Sequence, residues 1–296
     1  MSKFEWQDFS KLHTYYELSE YLQQRPFTHS EYCHYTKLGA IDGILKSNSF
    51  WLTCSTGFND IQDKRQFDEP KCNYSLCFST GINENLALWY LYSGMDGMGG
   101  RIRFSPNNIK KLIESSHYYL YKKNGEKLQK KPVMELIEGK TMITKFSDVI
   151  YYGNKKHSDF LDLKYNTMTN HEFLFDEFEK FKNENMGFCK GLIWYHEKET
   201  RLLVTLIDKA KEYVLNSQGD YVVVLTFDER ILKRIKIDLA PEITDIENGI
   251  NGYTSIENFF INNKKRINLS EYYGQVSMNL CIKCKKYAKR SLNYSR

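Results

Sequence analysis

The chain has little of what marks membrane-spanning, linker-rich or disulfide-stapled proteins. It holds five prolines in 296 residues. No internal repeat or low-complexity stretch breaks it, which excludes solenoid arrays and extended linkers. The longest apolar runs, Leu86 to Tyr92 and Tyr221 to Phe227, are far shorter than the ~20 residues a membrane-spanning helix needs. Met1 to Ser10 is polar and lacks the apolar core of a signal peptide, so a cytoplasmic protein with no membrane partner is expected. The seven cysteines (33, 54, 72, 77, 189, 281 and 284) are odd in number and show no disulfide rhythm; they should be reduced thiols. Cys281 and Cys284 have the spacing of half a zinc knuckle. Cys72 and Cys77 are too widely spaced to complete it and have no nearby His, so no metal site is expected.

Charge of one sign is also scarce once the C-terminus is set aside. The formal net charge is +5, but Lys283, Lys285, Lys286, Lys289, Arg290 and Arg296 carry six positive charges and residues 283–296 no negative one. Residues 1–282 are therefore left at −1, which excludes a globally basic nucleic-acid binder. The basic tail can still meet phosphates or an acidic partner, or be a solvated end.

What the chain does have is an ordinary globular balance, with 41% apolar and 27% charged residues. Its 22 Tyr and 18 Phe are many, and they suit an aromatic core, base-stacking surfaces or a compositional bias equally. Hydrophobic periodicity divides it into a leader over residues 1–30 with a helix near Leu12 to Gln24, a single domain over 31–282, and the tail 283–296. Strands are expected at Glu31 to Thr36, Ser49 to Cys54, Asn73 to Ser79, Arg101 to Phe104 and Tyr221 to Phe227. Helices are expected after Thr36 or Gly39, from an Asn83 cap to Ser93, and over Glu172 to Lys182. The glycines at 94, 97, 99 and 100 read as a turn, and residues 107–147 as mostly helical and Lys-rich, within an insertion spanning about 107–170. Mixed strands and helices define an α+β fold class.

The segment Trp194-Tyr-His-Glu-Lys-Glu-Thr-Arg201 runs directly into Leu-Leu-Val-Thr-Leu206. In an extended strand Glu197, Glu199 and Arg201 would share one face, while Leu202, Val204 and Leu206 line the other. Carboxylates and a guanidinium on a core-anchored strand must pair, face water or do chemistry. A structural Glu–Arg ladder and a catalytic group both satisfy that condition.

Several segments in order resemble a bacterial domain family of uncharacterised function. They are His34-Tyr35-Thr36, Phe50-Trp51-Leu52-Thr53, Phe58-Asn59-Asp60, Leu76-Cys77-Phe78-Ser79, Trp89 with Tyr92, Gly99-Gly100 through Phe104, and Glu197-x-Glu199-x-Arg201. The same order is similar to the ADP-ribosyltransferase superfamily. That resemblance implies a split mixed β-sheet core with helical insertions and NAD as substrate. It implies cofactor-binding roles for His34, Tyr35, Thr36, Ser79 and Thr80, with the adenosine-side ribose held by His34. Glu199 is implied as the carboxylate on the nicotinamide ribose; the residue types beside it suit Arg201 to orienting Glu199 or meeting a pyrophosphate oxygen, and Glu197 to polarising the attacking nucleophile or completing the pair. The resemblance further implies transfer of ADP-ribose to RNA, DNA or protein, a role as toxin or phage-defence effector, and an inhibitory, antitoxin-like partner. Hydrolysis of NAD by water, and a non-catalytic interaction module, stay open.

Overall fold

The computed structural model describes residue 17 and residues 27–58, 60–81, 83–93, 97–125, 127–152, 159–162, 167–170 and 178–272. The leader helix apart from Glu17, Asn59, Gly94, residues 172–177 of the expected helix, the Cys281/Cys284 pair and the basic tail lie outside them.

In chain order the elements are β1 (Tyr32–Lys37), α1 (Leu38–Ser47), β2 (Ser49–Cys54), α2 (Ile61–Lys64), β3 (Asn73–Thr80), α3 (Leu86–Tyr92) and β4 (Gly99–Phe104). Next come α4 (Pro106–Glu114), β5 (His117–Asn124), β6 (Lys127–Leu128), β7 (Met134–Leu136), β8 (Met142–Asp148), β9 (Ile150–Tyr152), β10 (Asp159–Asp162) and β11 (Thr167–Asn170). The chain continues with α5 (Phe178–Glu184), β12 (Cys189–Gly191), β13 (Glu199–Leu206), α6 (Asp208–Asn216), β14 (Asp220–Thr226) and β15 (Lys236–Leu239). It closes with α7 (Ile246–Ile250), α8 (Thr254–Asn262) and β16 (Ile267–Leu269). A 12-stranded mixed sheet and a 4-stranded sheet, the latter in the order β11-β10-β9-β12, make the protein α+β.

The large sheet splits at β3. One edge of β3 pairs continuously with β13, from Glu199 opposite Ser79 to Thr205 opposite Asn73. The other edge is shared. β1 pairs only at Thr80 and Ser79, and β2 only at Ser75 and Tyr74. Leu76, Cys77 and Phe78 thus have no strand partner on that edge, and β1 and β2 diverge there, each leading one half of the sheet outward.

The local reasons are legible. In β13 Leu202, Val204 and Leu206 are buried in the central core with Tyr74, Leu76 and Phe78 of β3 and Tyr32 of β1. Side chains of that size contribute about 1.5–3 kcal/mol each when fully buried. Leu38, Ile41 and Ile44 turn the apolar stripe of α1 onto the same core. Gly99 is required where β4 begins, because a Cβ there would lie 2.4 Å from Ser93 Cα.

Three sequence expectations are corrected. Only Pro106–Glu114 is helical in the region 107–147; His117 to Asp148 forms β5 to β8. Tyr118 and Leu120 alternate inward with period two, and the Lys content sits on a strand hairpin rather than a helix face. The α3 cap is Asn85, not Asn83; its side chain accepts from the backbone N–H groups of Ala87 at 2.9 Å and Leu88 at 3.4 Å. Gly99 and Gly100 belong to β4 rather than to the turn before it.

A buried ion network holds the flank of the sheet. Arg101 donates from Nε to Asp238 at 2.6 Å, and Arg103 donates to Glu31 at 2.8 Å. Glu84 accepts from Trp89 Nε1 at 2.9 Å and from the Glu271 backbone at 2.9 Å. These contacts lock β15 and the segment after β16 onto β4 and α3. A buried charge cluster is therefore not by itself a site in this protein.

Candidate functional site

Directly opposed residues of paired antiparallel strands place their side chains on one face of the sheet. The registers put Ser79 beside Glu199, Cys77 beside Arg201 and Ser75 beside Leu203. The row continues through Thr53 of β2, opposite Ser75, and Trp51, which faces Val224 of β14. A cavity of about 1030 Å³ runs along this face, from Glu199 and Arg201 past Cys77, Thr53 and Trp51 to Tyr121 of β5.

At its inner end five charged side chains form one chain of contacts. Arg201 donates from Nε to Glu199 Oε1 at 2.8 Å and from one terminal nitrogen to Glu199 Oε2 at 3.0 Å. It donates to both Asp63 oxygens at 3.0 and 2.9 Å, and to the Gly187 carbonyl at 2.6 Å. A guanidinium has five N–H donors, and all five are committed. Phe58 stacks against its carbon at 5.2 Å. Lys190 then bridges the two glutamates, at 2.5 Å to Glu197 Oε2 and 3.3 Å to Glu199 Oε2. The Tyr92 hydroxyl donates to Glu197 Oε1 at 3.2 Å. Asp63, Glu197 and Glu199 oppose Lys190 and Arg201, leaving one formal negative charge in excess.

Charge states follow from these neighbours. Burial alone would raise the Glu199 pKa, but Arg201 and then Lys190 hold it well below the ordinary carboxylate range. Burial alone would discharge Lys190; Glu197 and Glu199 hold it charged. Burial pushes the Cys77 thiol up, and the Glu199 charge adds to the effect, so Cys77 stays a thiol. A carboxylate offers about four acceptor positions. Glu199 uses three of them on two Arg201 donors and Lys190, while Glu197 accepts only from Lys190 and Tyr92 among the described residues.

Gly187 closes the network from behind. Its φ of +79° favours glycine, and an added Cβ would meet the Phe67 ring at 2.8 Å. Gln66 ties it to the network: its amide donates to Asp63 at 3.2 Å and its oxygen accepts from Gly187 N–H at 3.0 Å.

His34 enters the same cavity from the split. Its parity on β1 directs it to the core-facing side, against Phe50 and Phe78 with ring centroids at 5.5 and 6.0 Å. Where β1 leaves β3, His34 Nδ1 bonds the Cys77 carbonyl at 3.0 Å, replacing the missing strand partner. A carbonyl only accepts, so Nδ1 carries the proton. Burial lowers the His34 pKa below its ordinary value, an effect the Cys77 bond only partly opposes. The imidazole is therefore neutral near pH 7, with Nε2 left as an acceptor.

The other residues expected from sequence divide. Thr36 and Ser79 line the cavity. Tyr35 borders it, but its hydroxyl accepts from Arg101 at 3.2 Å and from the Asn85 backbone at 3.2 Å, and its ring packs edge-on against Trp89 at 4.9 Å. Thr80 is turned away; its hydroxyl donates to the Lys198 carbonyl at 3.0 Å. Glu197 is not on the strand. It ends a 3-10 turn over Leu192–Glu197, and Lys198 with φ 43° separates it from β13. Glu197 reaches Glu199 through Lys190 rather than through alternation. All five Arg201 donors point to Glu199, Asp63 and the Gly187 carbonyl. Lys190 and Asp63 were missed because nothing in their local sequence marks them. Among the described residues no group of three or more His, Cys, Asp or Glu is arranged to hold a metal ion. No helix among them is long and apolar enough to cross a membrane.

Fold and site together define an α+β protein whose split sheet carries a charged, half-enclosed cavity. Residues 88–202 match the model of a family described as a protein of unknown function (DUF2971). That stretch runs from α3 to the start of β13 and includes Trp89, Tyr92, Glu197, Glu199 and Arg201, in keeping with the resemblance to an uncharacterised family. No curated protein and no solved structure matches the chain.

Proposed function

We propose that the protein is an ADP-ribosyltransferase-like enzyme that cleaves NAD and moves ADP-ribose to a macromolecular acceptor. The observation that carries the reading is that His34 and the Glu197–Glu199 pair border one cavity, although they lie far apart in the chain. The divergence of β1 and β2 along one edge of β3 also accords with a split-sheet core of that superfamily.

The chemistry suits the site. The bond between C1′ of the ribose and the nicotinamide nitrogen breaks, and nicotinamide leaves with the electron pair. The ribose passes through an oxocarbenium-like state. A network with one excess negative charge, fixed in place before reaction, stabilises that cation more than the ground state. The acceptor then bonds to C1′ and its proton passes to a carboxylate. Glu197, which accepts only from Lys190 and Tyr92 among the described residues, faces the ribose in this reading; Glu199, Lys190 and Arg201 position it. His34 Nε2 accepts from a hydroxyl of the adenosine-side ribose. With water as acceptor the same site is an NAD glycohydrolase. A toxin or defence role with an inhibitory partner belongs to the same reading and rests on the family resemblance.

A non-catalytic interaction module is the second reading, favoured by the full commitment of the Arg201 donors. Incubation with labelled NAD and RNA, DNA or cell lysate separates the readings. Label retained on a macromolecule supports transfer, free ADP-ribose alone supports hydrolysis, and no turnover with any acceptor leaves the interaction module.

A further inference from the structure

The cavity has a second end, and its character is opposite to the first. β13, β3, β2, β14 and β5 lie in that order, so four inter-strand steps of ~4.8 Å, roughly 19 Å across the sheet, separate the strand of Glu199 from that of Tyr121. At this outer end Trp51 is 46% exposed beside Val224 and Tyr121. Lys46 and Lys130 stand on the rim. Behind Lys130 lies the β5–β6 hairpin. Residues 122–131 carry Lys122, Lys123, Lys127, Lys130 and Lys131 against Glu126, and Asp220 faces Lys123 across the sheet. Lys127, Lys130 and Lys131 are exposed.

We propose that this end binds single-stranded nucleic acid, with the hairpin lysines on the phosphates and a base stacked on Trp51. The inference deepens the reading of the cavity as an ADP-ribosyl transfer site, for which it names the acceptor class, and it rests on that reading for its chemical consequence. The physical case is charge and shape together. Lysines spaced along a ribbon meet a phosphate backbone at successive positions. An exposed indole on an apolar strand face offers the π-surface that any base can use, at about 1–3 kcal/mol per base. An acidic peptide would use the lysines but has no use for the indole. A duplex keeps its bases paired and its π-faces covered, so it would leave Trp51 unfilled. The hairpin lysines stand at the outer end and the two glutamates at the inner one, which sets the direction: backbone outside on the hairpin, base pointing inward toward the ribose.

The test is fluorescence anisotropy of labelled single-stranded RNA and DNA of about 12 nucleotides, without NAD, over a range of salt. Binding should weaken with salt at a log–log slope of about −2, reflecting some three phosphate contacts. K127Q/K130Q/K131Q should lose about tenfold or more and flatten the slope. Trp51→Ala should lose about 5- to 150-fold while keeping it. Duplex of the same sequence and polyglutamate should bind at least about tenfold more weakly. Absence of oligonucleotide binding by the wild type at low salt would overturn the proposal. So would binding that both variants retain, which would put it on another surface such as the basic tail, or equal affinity for polyglutamate. NAD turnover measured on the same samples keeps the two claims apart. Oligonucleotide binding without NAD cleavage sinks the enzymatic reading alone, and NAD cleavage without oligonucleotide binding sinks this one alone.

Discussion

Glu197 and Glu199 share a single ammonium group, that of Lys190, at 2.5 and 3.3 Å. The lysine bridges the two carboxylates and sets their spacing.

Glu197→Gln should therefore lower NAD cleavage by about 10²- to 10³-fold in kcat, and it should lower the melting temperature as well, because buried Lys190 loses its nearer carboxylate. Glu199→Gln should lower both, because it also removes acceptors from Arg201 and Lys190. The check is steady-state turnover beside thermal unfolding of both variants. Full activity in Glu197→Gln would remove it from the ribose contact.

Arg201→Met removes the cation from two buried carboxylates and leaves Asp63 and Glu199 uncompensated. Breaking a buried pair in this way costs about 3–5 kcal/mol. For a chain of this size that corresponds to a fall in Tm of about 6–20 °C. Differential scanning calorimetry reads the change directly. A Tm within a degree or two of the wild type would show that the network contributes little to stability.

Gly187→Ala should destabilise by about 1–3 kcal/mol through a strained positive φ and the clash with Phe67. Because the Gly187 carbonyl caps Arg201, turnover should fall as well. Urea unfolding with a two-state fit gives the loss, and an unchanged midpoint would contradict the backbone argument.

His34 is neutral in the folded protein and its pKa is held below the usual 6.5. The unfolded chain therefore takes up this proton first as pH falls. The contribution of His34 is fully present above about pH 6.5 and is lost progressively as pH drops toward the folded-state pKa. His34→Asn should flatten the fall of Tm between pH 7 and pH 5 relative to wild type. It should also weaken NAD binding at neutral pH, since the acceptor for a ribose hydroxyl is displaced. Parallel pH profiles for the two proteins would refute the assignment.

A bound dinucleotide should itself stabilise the fold. At a hundred times its Kd, a ligand that binds only the native state adds about 2.7 kcal/mol. Saturating NAD should raise Tm by several degrees in the wild type and by less in His34→Asn. No shift at any NAD concentration would favour the interaction module.

Much of this protein is written in local pattern. Periods of two in Ser49–Cys54, Asn73–Thr80 and Glu199–Leu206, and the helical spacing of Ile41, Ile44 and Leu45, specify element type, because side-chain direction in a strand or helix depends only on neighbours a few residues away. The same rule set Glu199 and Arg201 on one face and Leu202, Val204 and Leu206 on the other. It failed at Glu197, where one left-handed residue, Lys198, ends the alternation, and over His117 to Asp148, where Lys-rich composition concealed the period of two in Tyr118 and Leu120. Pattern has no access to which strand edges meet. The split at Cys77, the insertion of His34 into it and the Asp63 clamp on Arg201 join segments tens to more than a hundred residues apart. Only the closing of the sheet around β3 brought them together, because contacts of that range are set by the packing of whole elements rather than by any residue's own neighbours.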